Sequence, residues 1–152
     1  MNSLITLSWH EVILGAQLGI FRQIASLKDN LPDNYGYDGK DGWTKHIEGS
    51  CGELAFAKFY NCYWDATLNT FKKGQDVGGF QVRTRSSDNY DLIVRPDDRN
   101  EDKFVLLTGR IPKFYVRGWM LGKDAKQKKW KQEYGGRPAA YFVPASELHN
   151  LK

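Results

Sequence analysis

The sequence predicts an α/β (α+β) domain in which a single mixed β-sheet is flanked by helices. Three observations lead there. Two long segments near the start carry apolar residues at three- and four-residue spacing, the period of a helix with one buried face. From about residue 65 the period shortens to that of strands, in runs separated by Gly, Pro and Asp turns. No internal repeat or low-complexity tract interrupts the 152 residues, a length that suits one domain, 1–152, rather than two.

The N-terminal helix is expected over 8–27. Ser8 precedes Glu11 by three positions, the spacing of a capping box, and Val12, Ile13, Ala16, Ile20, Ile24 and Leu27 recur behind it. Gly15 and Gly19 fall on neighbouring turns of one face, which predicts close packing against another element. Residues 28–42, KDNLPDNYGYDGKDG, read as a loop, because Pro32, the glycines and the Asp and Asn residues supply turn chemistry without any period. Its length suits a flap or a substrate-facing loop.

The core, 43–152, opens with a second helix in WTKHIEGSCGELAFAKFYNCYW, carried by Trp43, Ile47, Leu54, Phe56, Ala57 and Tyr60. DATLNTFKK at 65–73 reads as a short strand, GQDVGG as a turn and FQVRTRS as the next strand. DLIVRP is another strand, stopped by Pro96, and PDDRNED is a charged turn. KFVLLTG is almost continuously apolar and is therefore predicted to be central in the sheet. FYVRGWMLG is a strand running into a turn, DAKQKKWKQEY a basic helix, and AYFVPASELHNL a strand followed by a short helical turn with Ser146 as its candidate cap.

Hydrophobic residues at 41% and charged residues at 26% exclude a disordered tail. A net charge of +4 is compatible with a polyanionic partner, though modest. A helix running through Cys51 and Cys62 would hold them about three turns, ~16 Å, apart, beyond the ~7 Å that a disulfide spans. Two free thiols predict a reducing, cytoplasmic compartment. There is no basic leader followed by an apolar run, and no segment approaches ~18 apolar residues, which predicts no membrane partner. Scattered histidines (His10, His46, His149) and a single cysteine pair argue against structural zinc. His46, near Glu48 and Glu53, is the one histidine worth testing.

The chemistry-bearing segment is Asp76-Val-Gly-Gly-Phe-Gln81-Val-Arg83-Thr-Arg85. Strand alternation puts Gln81, Arg83 and Arg85 on one face and Phe80, Val82 and Thr84 on the other. A Gly-Gly turn can bring Asp76 back beside Gln81 and Arg83. Carboxylate and amide oxygens hold a hard divalent ion, and a neighbouring cation contacts phosphate.

These residues resemble the PD-(D/E)XK nuclease superfamily, in particular its small phage-type members. Asp76 matches the first motif position, Gln81 the second and Arg83 the third, while Gly52-Glu53 in GSCGELAFAKFY resembles the helical Glu that completes the family's metal site. The resemblance spans 43–145 and implies a restriction-endonuclease-like core. It also implies Mg²⁺- or Mn²⁺-dependent hydrolysis of DNA, in phage or mobile-element DNA processing within a host cytoplasm. Asp76, Glu53, Gln81 and the Val82 carbonyl would be the metal ligands, and Asp76, Glu53, Gln81 and Arg83 the catalytic set. Two residues depart from the pattern. Gln81 offers a neutral amide where a carboxylate is usual, and Arg83 replaces Lys. An arginine stays protonated at any working pH, so Arg83 is an electrostatic stabiliser and not a base.

Arg85 is the nearest candidate phosphate contact. The run Lys123, Lys126, Lys128, Lys129 and Lys131, with Trp130 inside it, is the other candidate nucleic-acid surface, since basic and aromatic side chains together suit a strand. Each assignment has a plainer counterpart. Asp76 could serve only the turn, Glu53 could pair with Lys58, and the lysines could form a solvated face. A DNA-binding module that keeps the nuclease fold without turnover, and an inhibitory protein with an aromatic docking surface, are the alternative functions. The implied fold often works as a homodimer, and nothing in the sequence marks a dimer face.

Overall fold

In a computed structural model, which describes residues 3–29, 42–68 and 76–151, helices and strands are mixed as the sequence predicts, but the chain opens with a strand that the sequence pattern does not predict. Strand β1 (Ser3–Thr6) leads into α1 (Trp9–Lys28). The capping box forms as expected: the Ser8 hydroxyl accepts from the Glu11 N–H, and Glu11 accepts from the Ser8 N–H at 2.7 Å. Helix α2 (Gly42–Tyr60) packs along α1 through the two predicted glycines. A Cβ on Gly15 would lie 2.7 Å from Cys51 Sγ, and one on Gly19 only 2.4 Å from Ile47 Cα, so the helices touch backbone to side chain and backbone to backbone. The buried Ser50 hydroxyl donates across this seam to the Gly15 carbonyl.

Strands β2 (Phe80–Arg85), β4 (Lys103–Arg110) and β5 (Lys113–Leu121) join β1 in a main sheet of order β1-β5-β4-β2. The pair β2–β4 is parallel and the others antiparallel, so the sheet is mixed as expected. The strand predicted to be central, β4, lies between two neighbours and is buried from Phe104 to Thr108. The remaining strands, β3 (Leu92–Val94), β6 (Lys131–Gln132) and β7 (Ala140–Val143), form a second antiparallel sheet of order β3-β7-β6. The β structure is thus divided between two sheets.

Alternation along β4 explains why two cores exist. Val105 and Leu107 meet Ala55, Phe56, Phe80 and Phe114 beneath the helices, while Phe104 and Leu106 meet Leu92, Val94 and Val143 of the second sheet. Strand β5 serves both cores through a register shift where β4 passes from Leu106 to Leu107. Gly118 sits at that bulge with φ +145°, and a Cβ there would lie 2.7 Å from the His149 carbonyl. The bulge lets Trp119 pair with His149 through two backbone hydrogen bonds of 2.9 Å.

Three expectations change. The basic helix over DAKQKKWKQEY is instead one helical turn, α3 (Gly122–Ala125), a 3₁₀ turn at Lys128–Trp130 and then β6. Only Ala125 and Trp130 supply apolar anchors there, too few for a helical face. Ser146 lies inside its 3₁₀ turn, and Pro144 occupies the cap position. Residues 65–68 of the proposed 65–73 strand are irregular, and 69–73 lie outside the described residues, as does most of the 28–42 loop. Cys51 and Cys62 are unbridged, as expected, and burial followed by Glu48 pushes the Cys51 thiol up to about 11.

Candidate active site

Asp76 is placed by the turn after it. Gly78 at φ +57° and Gly79 at φ +85° let the chain reverse so that the N–H groups of Asp76 and Val77 both donate to the Phe80 carbonyl, at 3.0 and 3.1 Å. The Asp76 carboxylate then folds onto the free edge of β2, where Oδ2 accepts the Val82 N–H at 2.8 Å. In a parallel strand the N–H and C=O of one residue face the same way. The Val82 carbonyl is therefore on that open edge too, beside Asp76.

Glu53 reaches the same region from α2. The helix lies close to β2 because Gly52 packs on Thr84, where a Cβ would come within 2.0 Å of the hydroxyl. The Thr84 hydroxyl is buried and has no hydrogen-bond partner among the described residues. Glu53 is only 8% exposed, and it does not pair with Lys58, which instead binds Glu11 at 2.9 Å. Its partner is Arg22 of α1, held by two hydrogen bonds of 2.7 and 3.0 Å, with the Trp64 indole N–H at 3.3 Å. Arg22 also donates to the Thr67 carbonyl at 2.8 Å, which fixes its plane.

The two carboxylates sense each other. Burial, and then the charge of Glu53, push the Asp76 carboxyl up to about 6; the Val82 N–H, Arg83 and Arg22 oppose this. A carboxyl protonated more readily in the folded chain favours folding at low pH. That advantage is lost as the pH climbs from 3.8 to about 6. Asp76→Asn, which keeps an oxygen for the Val82 N–H, is therefore expected to be more stable than the parent above pH 6, by about 3 kcal/mol. It should also lack the parent's decline in stability through that window. Urea denaturation across the range checks it, and parallel curves for the two proteins would refute it.

The other motif residues share one side of β2, the side opposite Thr84 and α2, and so lie away from Glu53. Arg83 is on the second-sheet side, paired with Asp98 at 2.9 Å and lying over the Phe104 ring at 4.9 Å. Arg85 donates to the Asp91 carbonyl at 3.1 Å and stacks over Tyr90 at 4.4 Å. Gln81 shares their face by alternation. His46 is structural: its Nδ1 is 2.7 Å from Gln23 Oε1, and burial lowers its pKa.

The lysine run is not one surface. Lys126 is drawn into the 96–100 turn, where it donates to the Pro96 and Asp98 carbonyls and to Asn100 Oδ1. Lys129 covers the Trp130 ring at 4.8 Å. Lys123, Lys128 and Lys131 are exposed on different short elements.

The sequence reading passed over two features. One is Arg22, whose pairing with Glu53 spans two helices. The other is a cleft of about 580 Å³ along the open edge of β2, lined by Lys45, Arg83, Arg85, Arg95, Arg110 and Arg137, with Glu48 as the only acid among the described residues. Among the described residues no group of three or more His, Cys, Asp and Glu gathers as a metal site. A divalent ion would therefore rest on Asp76 and Glu53 with neutral oxygens. Comparison with protein-family models, curated proteins and solved structures gives no match.

Proposed function

We propose that this chain is a Mg²⁺- or Mn²⁺-dependent DNA phosphodiester hydrolase of the PD-(D/E)XK type, serving phage or mobile-element DNA processing. The observation that carries the reading is the pairing of half-buried Asp76 with buried Glu53, set beside the open edge of β2 and next to a cationic cleft. Two carboxylates held together against their own repulsion are characteristic of a site awaiting a cation. The two carboxylates and the Val82 carbonyl are hard oxygens and suit Mg²⁺ or Mn²⁺, whereas the Gln81 amide lies on the other face of β2. Such an ion supplies polarisation of the phosphate and an acidified water.

The chain's own residues do the rest. Asp76 and the Val82 carbonyl present oxygens from one edge, and Glu53 adds its carboxylate from the helix side. Arg22 grips both Glu53 oxygens and Trp64 shares Oε1, so the second lone pair of Oε2 is the one left for an ion. Arg83 lines the cleft and steadies phosphate charge, and it never serves as the base.

The Arg22 grip also supports a second reading, a DNA-binding module without turnover in which a guanidinium stands where the metal would. Incubating the protein with supercoiled plasmid and Mn²⁺, against an EDTA control, separates the two. The hydrolase reading expects cleavage that Asp76→Ala removes and Arg83→Lys retains. Cleavage unchanged in Asp76→Ala would place the site elsewhere. A wild-type protein that binds the plasmid and never nicks it would establish the module instead.

A further inference from the structure

We infer that the cleft beside β2 binds an unpaired nucleic-acid strand, its phosphates held by Lys45, Arg85, Arg95, Arg110 and Arg137 and one base set against Tyr90. The choice of nucleic acid as the polyanion rests on the hydrolase reading. The cleft itself stands on three observations.

The first is shape. About 580 Å³ falls within the roughly 300–1,000 Å³ typical of small-ligand pockets. The walls are the start of α2, the β2 edge from Val82 to Ser86, and the segment around Tyr90, Ile93 and Arg95. That space admits a nucleotide with its flanking phosphates, whereas a duplex would meet only the rim.

The second is charge. Arg83 pairs with Asp98, and the other five lining cations come from five separate stretches of chain. Gathering like charges is unfavourable, and the Lys45 ammonium records it: burial, then Arg95 and Arg137, pull it down to about 8. A bound phosphate would relieve that repulsion. Arg110 forms no ion pair among the described residues.

The third is the aromatic wall. Tyr90 keeps 45% of its surface exposed while Arg85 stacks on it. A cationic groove with an aromatic platform is how sequence-tolerant proteins hold single strands. The lysine run of residues 123–131 contributes nothing to the lining.

Fluorescence anisotropy with labelled oligo-dT, and separately with a labelled duplex, both in EDTA, tests the assignment without hydrolysis. Arg110→Gln and Arg137→Gln are each expected to weaken oligo-dT binding several-fold and to lower the salt slope by about one. Tyr90→Ala should weaken it about tenfold, and Tyr90→Phe should restore it. Lys128→Gln and Lys129→Gln should bind as the parent does. Because binding is measured in EDTA, a protein that never cleaves still reports on the cleft, so a failed hydrolase reading remains distinguishable from a failed cleft. The cleft assignment is overturned if the parent binds no DNA, or if Arg110→Gln and Arg137→Gln bind like the parent. Duplex binding as tight as oligo-dT, with the same dependence on these residues, would overturn the unpaired strand.

Discussion

Arg22→Met is expected to destabilise the fold by about 3 to 5 kcal/mol, because it leaves the Glu53 carboxylate buried without its partner. The side chains of the pair are only 19% and 10% exposed, so water cannot take over the role of the guanidinium. The long apolar stem of Met keeps most of the packing, which isolates the charge. Arg22→Met/Glu53→Gln should recover much of the loss, since a neutral amide can share the site with the Trp64 indole. Urea denaturation at neutral pH measures both. A loss below about 1 kcal/mol for the single variant would mean that the pair behaves like an exposed one. Removing Arg22 also takes away a charge that favours ionised Asp76, so this variant should depend on pH more steeply than the parent. Under the hydrolase reading, Mn²⁺ should restore part of the lost stability by replacing the missing positive charge.

Gly19→Ala is the second large effect, a destabilisation of about 3 kcal/mol. Alanine is the better helix former by about 1 kcal/mol, so intrinsic propensity alone predicts a gain. The structure reverses the sign. The new methyl would sit 2.4 Å from Ile47 Cα and 2.7 Å from both the His46 carbonyl and the Ile47 nitrogen. Those are backbone atoms of a helix, so relief requires moving α2 bodily, and such overpacking costs about 1–3 kcal/mol or more. Gly49→Ala is the control, because nothing lies within 4 Å of its Cβ position. It should gain a few tenths to 1 kcal/mol. Thermal unfolding of both variants decides the matter, and a Gly19→Ala protein as stable as Gly49→Ala would refute the backbone contact. Because α2 carries Glu53, displacing it should also loosen the Arg22 pairing.

What could be read from the sequence was what is encoded locally. The capping box at Ser8 and Glu11, the strand alternation from Phe80 to Arg85 and the Gly-Gly turn are properties of neighbouring residues, and each lies where its pattern says. The same holds for the glycine seam, since Gly15 and Gly19 occupy one helical face. The basic segment after Leu121 misled for a physical reason. Its Lys and Gln residues favour helix, but Lys126 is captured by carbonyls of the 96–100 turn and Trp130 packs against the second core. Tertiary partners decided its course. Arg22 and the cleft were illegible because their meaning is non-local: Arg22 meets Glu53 across 31 positions, and the cleft's cations converge from separate segments. No periodicity within one element announces such a meeting.

The bulge in β5 has a consequence for how this chain can vary among descendants. A strand with unbroken alternation addresses each core with every second residue, but here Phe114 and Val116 face the helices, Trp119 joins them, and Met120 turns to the second sheet. The single extra residue, Arg117 beside Gly118, sets that parity. Losing or gaining one residue between Phe114 and Met120 would exchange the addresses of everything beyond it, sending Trp119 and Met120 into each other's cores. Length changes in this half of the molecule are therefore confined to the turns, and β5 inherits its residue count as strictly as an enzyme inherits a nucleophile.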